Sequence, residues 1–404
     1  MVDHETIRAE VASVLDRAVR LRRMLHQVPE GAFAETATAR IVADELASLG
    51  LDVQTGLAGT GVAATITGRH TGPLVALRAD MDALAVTEAT GTPYASRHEG
   101  LAHCCGHDGH MAAVLGAAGV LSRLSERLAG SVRLVFQPAE ETGAGAQAML
   151  AAGVFGGLKP AAVLALHGWP GLPTGVVAAR SGVMASASDV FEISVHGRGG
   201  HGARPARACS PIVPAARLVE ALSRLTAPPD DPVPRVVSVG SIHGGGQPNV
   251  IPDTAVLSGT IRSADAKTRG DLHRQVRETI QAVARDSGVR AEVTIRAFCP
   301  RLENDPGLYA AFAELADGLL GPDQRVELDR PSMGAEDFGY YLQHAPGLLI
   351  RLGMGLACPD LHNPAFDFDD GALSAGISVL VGLALRVCDR HAGRTGAPAE
   401  RSRP

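Results

Sequence analysis

Short apolar runs that alternate with segments of helical periodicity constrain the fold of this 404-residue chain more than any other feature. The apolar runs occupy residues 62–67, 74–77, 132–136, 162–166 and 348–352. Apolar residues recur at helical spacing before, between and after them, at residues 7–28, 36–49, 108–128, 308–320 and 373–388. Strands of a parallel sheet are buried on both faces and therefore read as continuous apolar runs. The pattern predicts an α/β domain whose mostly parallel sheet is covered by helices.

The middle of the chain has a different order of elements. We predict strands at residues 190–195, 236–242, 254–261 and 291–295, and helices at residues 211–225 and 268–284. This β-α-β-β-α-β order is that of a ferredoxin-like α+β domain. The predicted organisation is a catalytic domain in two parts, 1–184 and 298–392, with an inserted domain at 185–297 and a disordered tail at 393–404.

Composition narrows the class of protein. Hydrophobic residues make up 46% of the chain and the formal net charge is −6, without a long basic run of the kind that binds nucleic acid. The polar N-terminus does not resemble a secretory signal, and no apolar stretch of about 18 residues indicates a membrane span. Six cysteines in a chain this long do not form a disulfide framework. We therefore expect a cytoplasmic protein with no nucleic-acid or membrane partner.

Residues 103–110 read His-Cys-Cys-Gly-His-Asp-Gly-His and concentrate more ligand chemistry than any other segment. Imidazoles, thiols and a carboxylate in one short stretch are typical of a transition-metal site. Zinc-finger spacing is absent, because no second Cys or His pair follows. Any remaining ligands must come from distant parts of the chain, as they do in catalytic sites. Within the segment His103, His110 and Asp108 are ambiguous, since Asp108 can instead cap the helix that follows.

Further candidate ligands follow the predicted strands. Asp80 and Asp82 come after the run at 74–77, Glu140 and Glu141 after 132–136, and His167 after 162–166. The carboxyl ends of parallel strands meet at one edge of a sheet, so these side chains are expected to converge there. Each taken singly also has a structural interpretation as a helix cap, a turn residue or a buried core histidine. Adjacent carboxylates such as Glu140 and Glu141 repel each other, and a bound cation relieves that repulsion.

Several motifs together give the chain a specific resemblance. They stand at residues 77–84, 105–110, 137–141, 166–167, 199–203, 259–262, 334–338 and 361–364. The chain resembles the M20 family of metallopeptidases and amidohydrolases, in the branch of hippurate hydrolases, N-acyl-amino-acid amidohydrolases and plant auxin–amino-acid conjugate hydrolases. The resemblance runs from about residue 23 to residue 370. One departure is Cys104, where the family more often has alanine.

The resemblance implies a dinuclear site and an assignment of roles. Two divalent ions, Mn²⁺ or Zn²⁺, are bound by five ligands: Cys105, His107, Glu141, His167 and His362. Glu140 is then the general base, and Asp82 is expected to orient a ligand imidazole. In the inserted domain His201 stabilises the oxyanion, while Asn249 and Arg262 contact the substrate carboxylate. The resemblance further implies that this domain is a lid and forms a homodimer or higher homo-oligomer.

The predicted function is metal-dependent hydrolysis of the amide bond of N-acyl amino acids, hippurate-like or N-acetylated, to a carboxylic acid and a free amino acid. Three alternatives remain at this point. A metallo-aminopeptidase, dipeptidase or carboxypeptidase would use the same metals on short peptides. A thiol hydrolase would use Cys105 with a nearby histidine and no metal. A non-enzymatic metal-binding descendant would lack the assembled site.

Overall fold

The computed structural model describes residues 2–228 and 230–395, and these divide into two compact units. The first unit comprises the described parts of Met1–Met184, Glu303–Asp329 and Tyr340–Pro404, and the second comprises Ala185–Leu302 and Arg330–Gly339. The predicted tail begins within the last helix, which continues to Thr395. Residues 396–404 of that tail lie outside the described residues.

The helices follow the periodic segments of the sequence closely. Helix α1 begins at His4 because Asp3 caps it, accepting a hydrogen bond of 2.8 Å from the Thr6 backbone N–H. Asp265 and Asp305 cap two later helices in the same way. The helices are α1 His4–His26, α2 Thr36–Ser48, α3 His107–Arg123, α4 Gly145–Ala151, α5 Ile212–Ser223, α6 Ala266–Ser287, α7 Pro306–Leu319 and α8 Leu373–Thr395.

The strands of the structure are longer than the apolar runs that predict them. In chain order they are β1 Val53–Leu57, β2 Gly61–Thr67, β3 His70–Asp80, β4 Ala129–Gln137, β5 Ala162–Trp169, β6 Val177–Ala179, β7 Gly182–Ala185, β8 Ala187–His196, β9 Gly200–His201, β10 Arg235–Gly244, β11 Val250–Ile251, β12 Thr254–Ser263, β13 Arg290–Cys299, β14 Leu302–Asn304, β15 Arg325–Glu327 and β16 Gly347–Gly353.

The first unit contains an eight-stranded sheet in the order β1-β2-β4-β3-β5-β16-β6-β15. Its four central strands, β4, β3, β5 and β16, are parallel to one another. Antiparallel pairing joins β1 to β2, β2 to β4 and β6 to β16. The predicted mixed α/β class with a mostly parallel central sheet is confirmed, and the carboxyl ends of β3, β4 and β5 lie side by side.

Helices α3 and α8 form the core of the first unit together with the sheet. All residues of α3 from His107 to Leu121 are buried. Among the described residues one helical segment, Asp370–Arg390, meets the length and apolarity required to cross a membrane, which the sequence reading did not anticipate. However, 78% of its apolar window is buried inside the protein, as in a core helix.

The second unit contains a four-stranded antiparallel sheet in the order β10-β12-β8-β13, against which α5 and α6 pack. Residues on β12 alternate between buried and more exposed, the pattern of a strand with one face in a core. Phe191, Leu218, Leu257 and Ile280 are fully or almost fully buried in a core that this unit forms from its own residues. The element order β8-α5-β10-β12-α6-β13 is the predicted β-α-β-β-α-β.

Candidate metal centre

The candidate centre lies in the first unit at the carboxyl ends of three neighbouring parallel strands. Asp80 is the last residue of β3, and His167 lies near the end of β5. Glu140 and Glu141 follow β4 in a 3₁₀ turn, Glu140–Thr142. His107 is the first residue of α3. The sheet therefore brings together side chains that are distant in sequence, at the edge where open α/β sheets hold their ligands.

The turn that carries the two glutamates is fixed by buried carboxylates. Ala139 precedes the turn in a left-handed conformation with φ of 56°, which is uncommon for a residue with a Cβ. Its backbone N–H donates to Glu35 Oε1 at 2.9 Å. The next two backbone N–H groups, of Glu140 and Glu141, donate to Oδ1 and Oδ2 of Asp82, each at 3.0 Å. The hydrogen bonds of Glu35 and Asp82 hold the strained turn in place.

A glycine shapes the segment between the first two candidate ligands. Gly106 separates Cys105 from His107 and has φ of 86°, so the chain turns there in a conformation that residues with a Cβ rarely adopt. A Cβ at Gly106 would also lie 3.3 Å from the ring of Phe368. The turn allows Cys105 to point toward the sheet edge while α3 begins immediately after it.

The five side chains predicted as ligands lie close together. The ligand atoms of Cys105, His107 and His167 are all within 4.8 Å of one another, and so are those of Cys105, Glu141 and His362. Cys105 Sγ is 3.6 Å from His167 Nε2. Glu141 Oε1 is 3.9 Å from His107 Nε2 and 3.5 Å from His362 Nε2. The two groups share Cys105, an arrangement that can hold two neighbouring cations.

Hydrogen bonds orient two of these imidazoles. His107 Nδ1 lies 2.8 Å from the backbone oxygen of Asp82, and His167 Nδ1 lies 2.7 Å from the backbone oxygen of Gly168. A carbonyl oxygen only accepts, so in each ring Nδ1 carries the proton and donates it. The Asp82 carboxylate is a second neighbour, with Oδ1 3.3 Å from His107 Nδ1. In the neutral ring Nε2 is then free to bind a metal ion, as in many metalloproteins.

Two polar atoms of the cluster are buried and have no hydrogen-bond partner among the described residues. They are His107 Nε2 and Glu141 Oε1. Buried polar atoms are nearly always paired, because leaving one unpaired costs about 1–3 kcal/mol. Both atoms face the other candidate ligands, and a divalent cation between them would satisfy both. The mixture of thiol, imidazole and carboxylate donors also suits a borderline transition-metal ion.

The electrostatics of the cluster favour a cation. Burial opposes protonation of His107, but Asp80, Asp82 and Glu141 outweigh it and raise its pKa to about 10. Burial and the coulombic effect of His110 lower the pKa of His167 to about 3, so that imidazole is neutral and available as a ligand. Burial and nearby carboxylates raise the pKa of the Cys105 thiol well above its usual value. Without a cation Cys105 therefore stays a thiol at neutral pH, which counts against a thiol hydrolase.

His110 and Asp80 form hydrogen bonds next to the candidate ligands. His110 Nδ1 lies 2.7 Å from Asp80 Oδ1, and the Gly168 backbone N–H donates to His110 Nε2 at 2.8 Å. Both ring nitrogens are engaged, so His110 orients the backbone of β5 rather than coordinating an ion. Asp80 Oδ2 accepts a hydrogen bond of 2.8 Å from Arg78.

Asp108 does not cap α3, contrary to the alternative interpretation of its position. Gly106 stands at the N-cap, and the cap has no side-chain hydrogen bond. Asp108 Oδ2 instead accepts from Arg22 Nε at 2.8 Å and lies 2.8 Å from His26 Nδ1. His103 is also buried, and in the part of the chain that the structure describes neither of its ring nitrogens has a hydrogen-bond partner.

Arg22, His26 and Glu35 are buried charged or titratable residues that contact the candidate centre or its surroundings and are not predicted from the sequence. Arg22 and His26 are four residues apart on α1, on the face that also buries Leu21 and Leu25. That spacing was a usable signal, because polar residues within an apolar helix face are buried with it. Glu35 had no comparable signal, since it precedes α2 in a loop.

The candidates in the inserted segment lie in the second unit. His201 on β9 pairs with Val250 on β11, and the Gly202 backbone N–H donates to the oxygen of Asn249 at 2.8 Å, so His201 and Asn249 are neighbours. The Ala203 N–H donates to His201 Nδ1 at 3.1 Å, which leaves the ring proton on Nε2. Arg262 lies on β12 and donates to the Met333 backbone oxygen at 3.0 Å.

Comparisons with known proteins agree with the fold and identify the family. The model of peptidase family M20/M25/M40 matches residues 76–386. An N-acetyl-L-cysteine deacetylase of Bacillus subtilis is 37% identical over 372 residues, covering 92% of this chain and 88% of the relative. An IAA-amino acid hydrolase of Arabidopsis thaliana is 36% identical over 382 residues, covering 92% and 86%. A solved Bacillus subtilis structure, described as a dinuclear metal binding peptidase from the M20 family, superposes with a TM-score of 0.81 at 33% identity, covering 94% of this chain and 99% of that one. The chain therefore belongs to peptidase family M20/M25/M40 and is a hydrolase of that family.

Proposed function

We propose that the protein is a metal-dependent amidohydrolase that cleaves N-acyl amino acids, hippurate-like or N-acetylated, to a carboxylic acid and a free amino acid. The observation that carries the proposal is the cluster of five mixed donors, two of whose buried atoms have no partner, beside a further carboxylate, Glu140. The names of the deacetylase and conjugate-hydrolase relatives support the substrate class.

The residues fit two divalent cations, Mn²⁺ or Zn²⁺, held by Cys105, His107, Glu141, His167 and His362. The sharing of Cys105 between two groups of donors supports a pair of ions rather than one. When bound, such ions would lower the pKa of water and polarise the amide carbonyl of a substrate.

Glu140 is the proposed general base. Its position is fixed by its own backbone N–H, which donates to Asp82, and its carboxylate lies within 4.8 Å of the ligand atoms of His107 and Glu141. Glu140 takes a proton from water as the C–O bond forms at the carbonyl carbon. It returns that proton to the amide nitrogen as the C–N bond breaks, so the amine leaves neutral.

The second unit supplies the proposed substrate contacts. With its proton on Nε2, His201 presents a donor suited to the oxyanion that develops on the carbonyl oxygen. Arg262 and Asn249 offer donors to the substrate α-carboxylate. We also propose that this unit acts as a lid that excludes water and forms the homodimer contact. None of the six cysteines, all of which lie among the described residues, forms a disulfide bond, which supports a reducing, cytoplasmic location.

The test is hydrolysis by metal-loaded protein of N-acetyl and N-benzoyl amino acids compared with unblocked dipeptides. We expect cleavage of the acylated substrates, and a preference for unblocked dipeptides would favour a peptidase instead. Glu140→Gln should keep its metal and lose about 10²–10⁴-fold in kcat. Glu99→Gln, at an exposed glutamate, is the matched control and should behave as the parent protein. An undiminished kcat in Glu140→Gln would reject the assignment of the base.

A further inference from the structure

Arg351 differs from the other buried arginines of the described residues. Arg22 and Arg78 form ion pairs with Asp108 and Asp80, and Arg133 donates to the Val154 backbone oxygen. Arg351 is only 9% exposed, yet no hydrogen bond or ion pair of its guanidinium is found among the described residues. Burial alone lowers its pKa, to about 10, with no carboxylate acting against it. A buried charge normally has a partner, because desolvation is otherwise uncompensated.

The contact that Arg351 does make is with the chain's single tryptophan. Its guanidinium carbon lies 3.5 Å from the centroid of the Trp169 ring, a close cation–π arrangement. Stacking of this kind holds a guanidinium in a fixed plane while its N–H groups stay available at the edge. No nitrogen of Arg351 is among the fully buried polar atoms that lack a partner. The guanidinium nitrogens therefore remain in contact with solvent.

This pair lies beside the candidate metal centre. Arg351 on β16 is in register with His167 on β5, and paired residues of parallel strands project from the same face. Trp169, two residues after His167, projects from that face as well and is the last residue of β5. The ring centroids of His167 and Trp169 are 5.9 Å apart. The Trp169 ring is therefore close both to the unpaired guanidinium and to a candidate metal ligand.

We propose that Arg351, held by Trp169, forms a carboxylate-binding subsite beside the metal centre and selects substrates with a second carboxylate, on the amino-acid side chain or on the acyl group. The inference rests on the proposed hydrolysis of N-acyl amino acids, and it adds a substrate class. The α-carboxylate is assigned to Arg262, so the subsite accounts for an additional negative charge. A planar guanidinium fixed at its face suits bidentate binding of a carboxylate.

Fluorescence of Trp169 tests the subsite without any turnover, because no other tryptophan contributes. Metal-free protein and metal-loaded Glu140→Gln protein, in which turnover is suppressed, are titrated with N-acetylglutamate and its neutral isostere N-acetylglutamine, and with N-succinylmethionine and N-butyrylmethionine. We expect a saturable change that is at least about 10-fold tighter for the acidic member of one pair, the effect of a charge-assisted hydrogen bond. The substrate pair that shows this difference in affinity identifies whether the bound carboxylate is on the amino-acid side chain or on the acyl group.

Variants of Arg351 test whether the preference for the acidic ligand depends on this residue. Arg351→Met should abolish the 10-fold preference, and Arg351→Lys should restore part of it as a point charge. Arg69→Met, at an exposed ion pair, is the control for loss of one positive charge. Equal affinity for both members of each pair, or a preference that survives in Arg351→Met, would overturn the subsite.

The ratio of kcat/KM between the members of each pair supplies the second measurement. It should favour the acidic substrate and fall by at least about 10-fold in Arg351→Met. Arg351-dependent binding without hydrolysis of any acylated substrate would keep the subsite and refute the proposed function. Hydrolysis of acylated substrates with no Arg351-dependent preference would refute the subsite and keep the proposed function.

Discussion

At the scale of single residues, the candidate centre depends on a cluster of thiol, imidazole and carboxylate donors. Cys105 is shared by two groups of ligand atoms, and two atoms of its neighbours are buried and unpaired. Cys104 stands next to it with the same chemistry and is also buried, but it belongs to none of the donor groups found among the described residues. The two thiols therefore offer a matched comparison.

Replacing Cys105 by alanine should lower metal affinity by more than about 10-fold, since even partners that only support ligands are worth 10–100-fold. Replacing Cys104 by alanine should leave the number of bound ions unchanged. Metal content after dialysis against a graded chelator, measured by plasma mass spectrometry, checks both. Equal retention of metal by the two variants would remove Cys105 from the ligand set.

A second residue-scale prediction concerns His26, whose pKa is raised from 6.5. Burial opposes protonation of the imidazole, but the nearby carboxylates of Asp108 and Glu88 outweigh that effect. A raised folded pKa means that protonated His26 adds stability fully below the unfolded pKa and loses it as pH rises through the folded value. The free energy of unfolding of metal-free protein should therefore exceed that of His26→Gln most below pH 6.5, with a smaller difference at higher pH.

Urea denaturation at about pH 6 and about pH 9 measures this difference, at one pH below and one well above the ordinary pKa of histidine. His243→Gln, at an exposed histidine, is the control for loss of an imidazole. A difference between parent and His26→Gln that stays constant or grows with pH would contradict the assigned ion pair.

At the scale of elements, α3 places Gly109 against the ring of the buried Phe368. A Cβ at Gly109 would lie 2.2 Å from the ring of Phe368, a distance at which atoms must move. Gly270 on α6 is exposed and has nothing within 4 Å of an added Cβ. The same substitution should therefore have opposite effects on the two helices.

Gly109→Ala should destabilise the protein by about 1–3 kcal/mol through overpacking. Gly270→Ala should stabilise it by about 0.5–1 kcal/mol, because alanine is the better helix former. Chemical denaturation of both variants gives the sign directly. Destabilisation by both would mean that backbone freedom, and not the contact with Phe368, governs Gly109.

The helices and strands also show how much of the fold can be predicted from the sequence. Apolar periodicity predicts the central strands and long helices, because burial on both faces leaves few polar residues in them. It ends β3 and β5 too early, since Asp80 and His167 are polar residues that continue a strand at its functional end. It misses β1, whose three central residues are exposed, and it misses β6 and β15, which are three residues long.

The candidate site can likewise be predicted from the sequence only in part. The ligand residues could be predicted because their types are unusual and their positions follow strands. The supporting groups could not, since Glu35 and Arg22 act through contacts made only in the folded chain. The ambiguity of His110 is resolved only by its two hydrogen bonds.

At the scale of the whole molecule, each unit builds a core from its own residues. We therefore expect a fragment of residues 185–302 to fold alone, with mixed α/β circular dichroism and a cooperative thermal transition. Phe191→Ala in that fragment should cost about 3–5 kcal/mol and unfold it, whereas Val213→Ala, 55% exposed, should not. A fragment with the spectrum of an unfolded chain would show that this core depends on the rest of the protein.

The central claim is that cations held by the five donors make water a nucleophile toward the amide of an N-acyl amino acid. The most direct measurement titrates chelator-stripped protein with Mn²⁺ or Zn²⁺ while bound metal and hydrolysis of N-acetylmethionine are followed together. We predict no turnover without metal and a plateau at about two bound ions per chain. Full turnover by metal-free protein, or metal binding that never produces turnover of an acylated amino acid, would contradict the account.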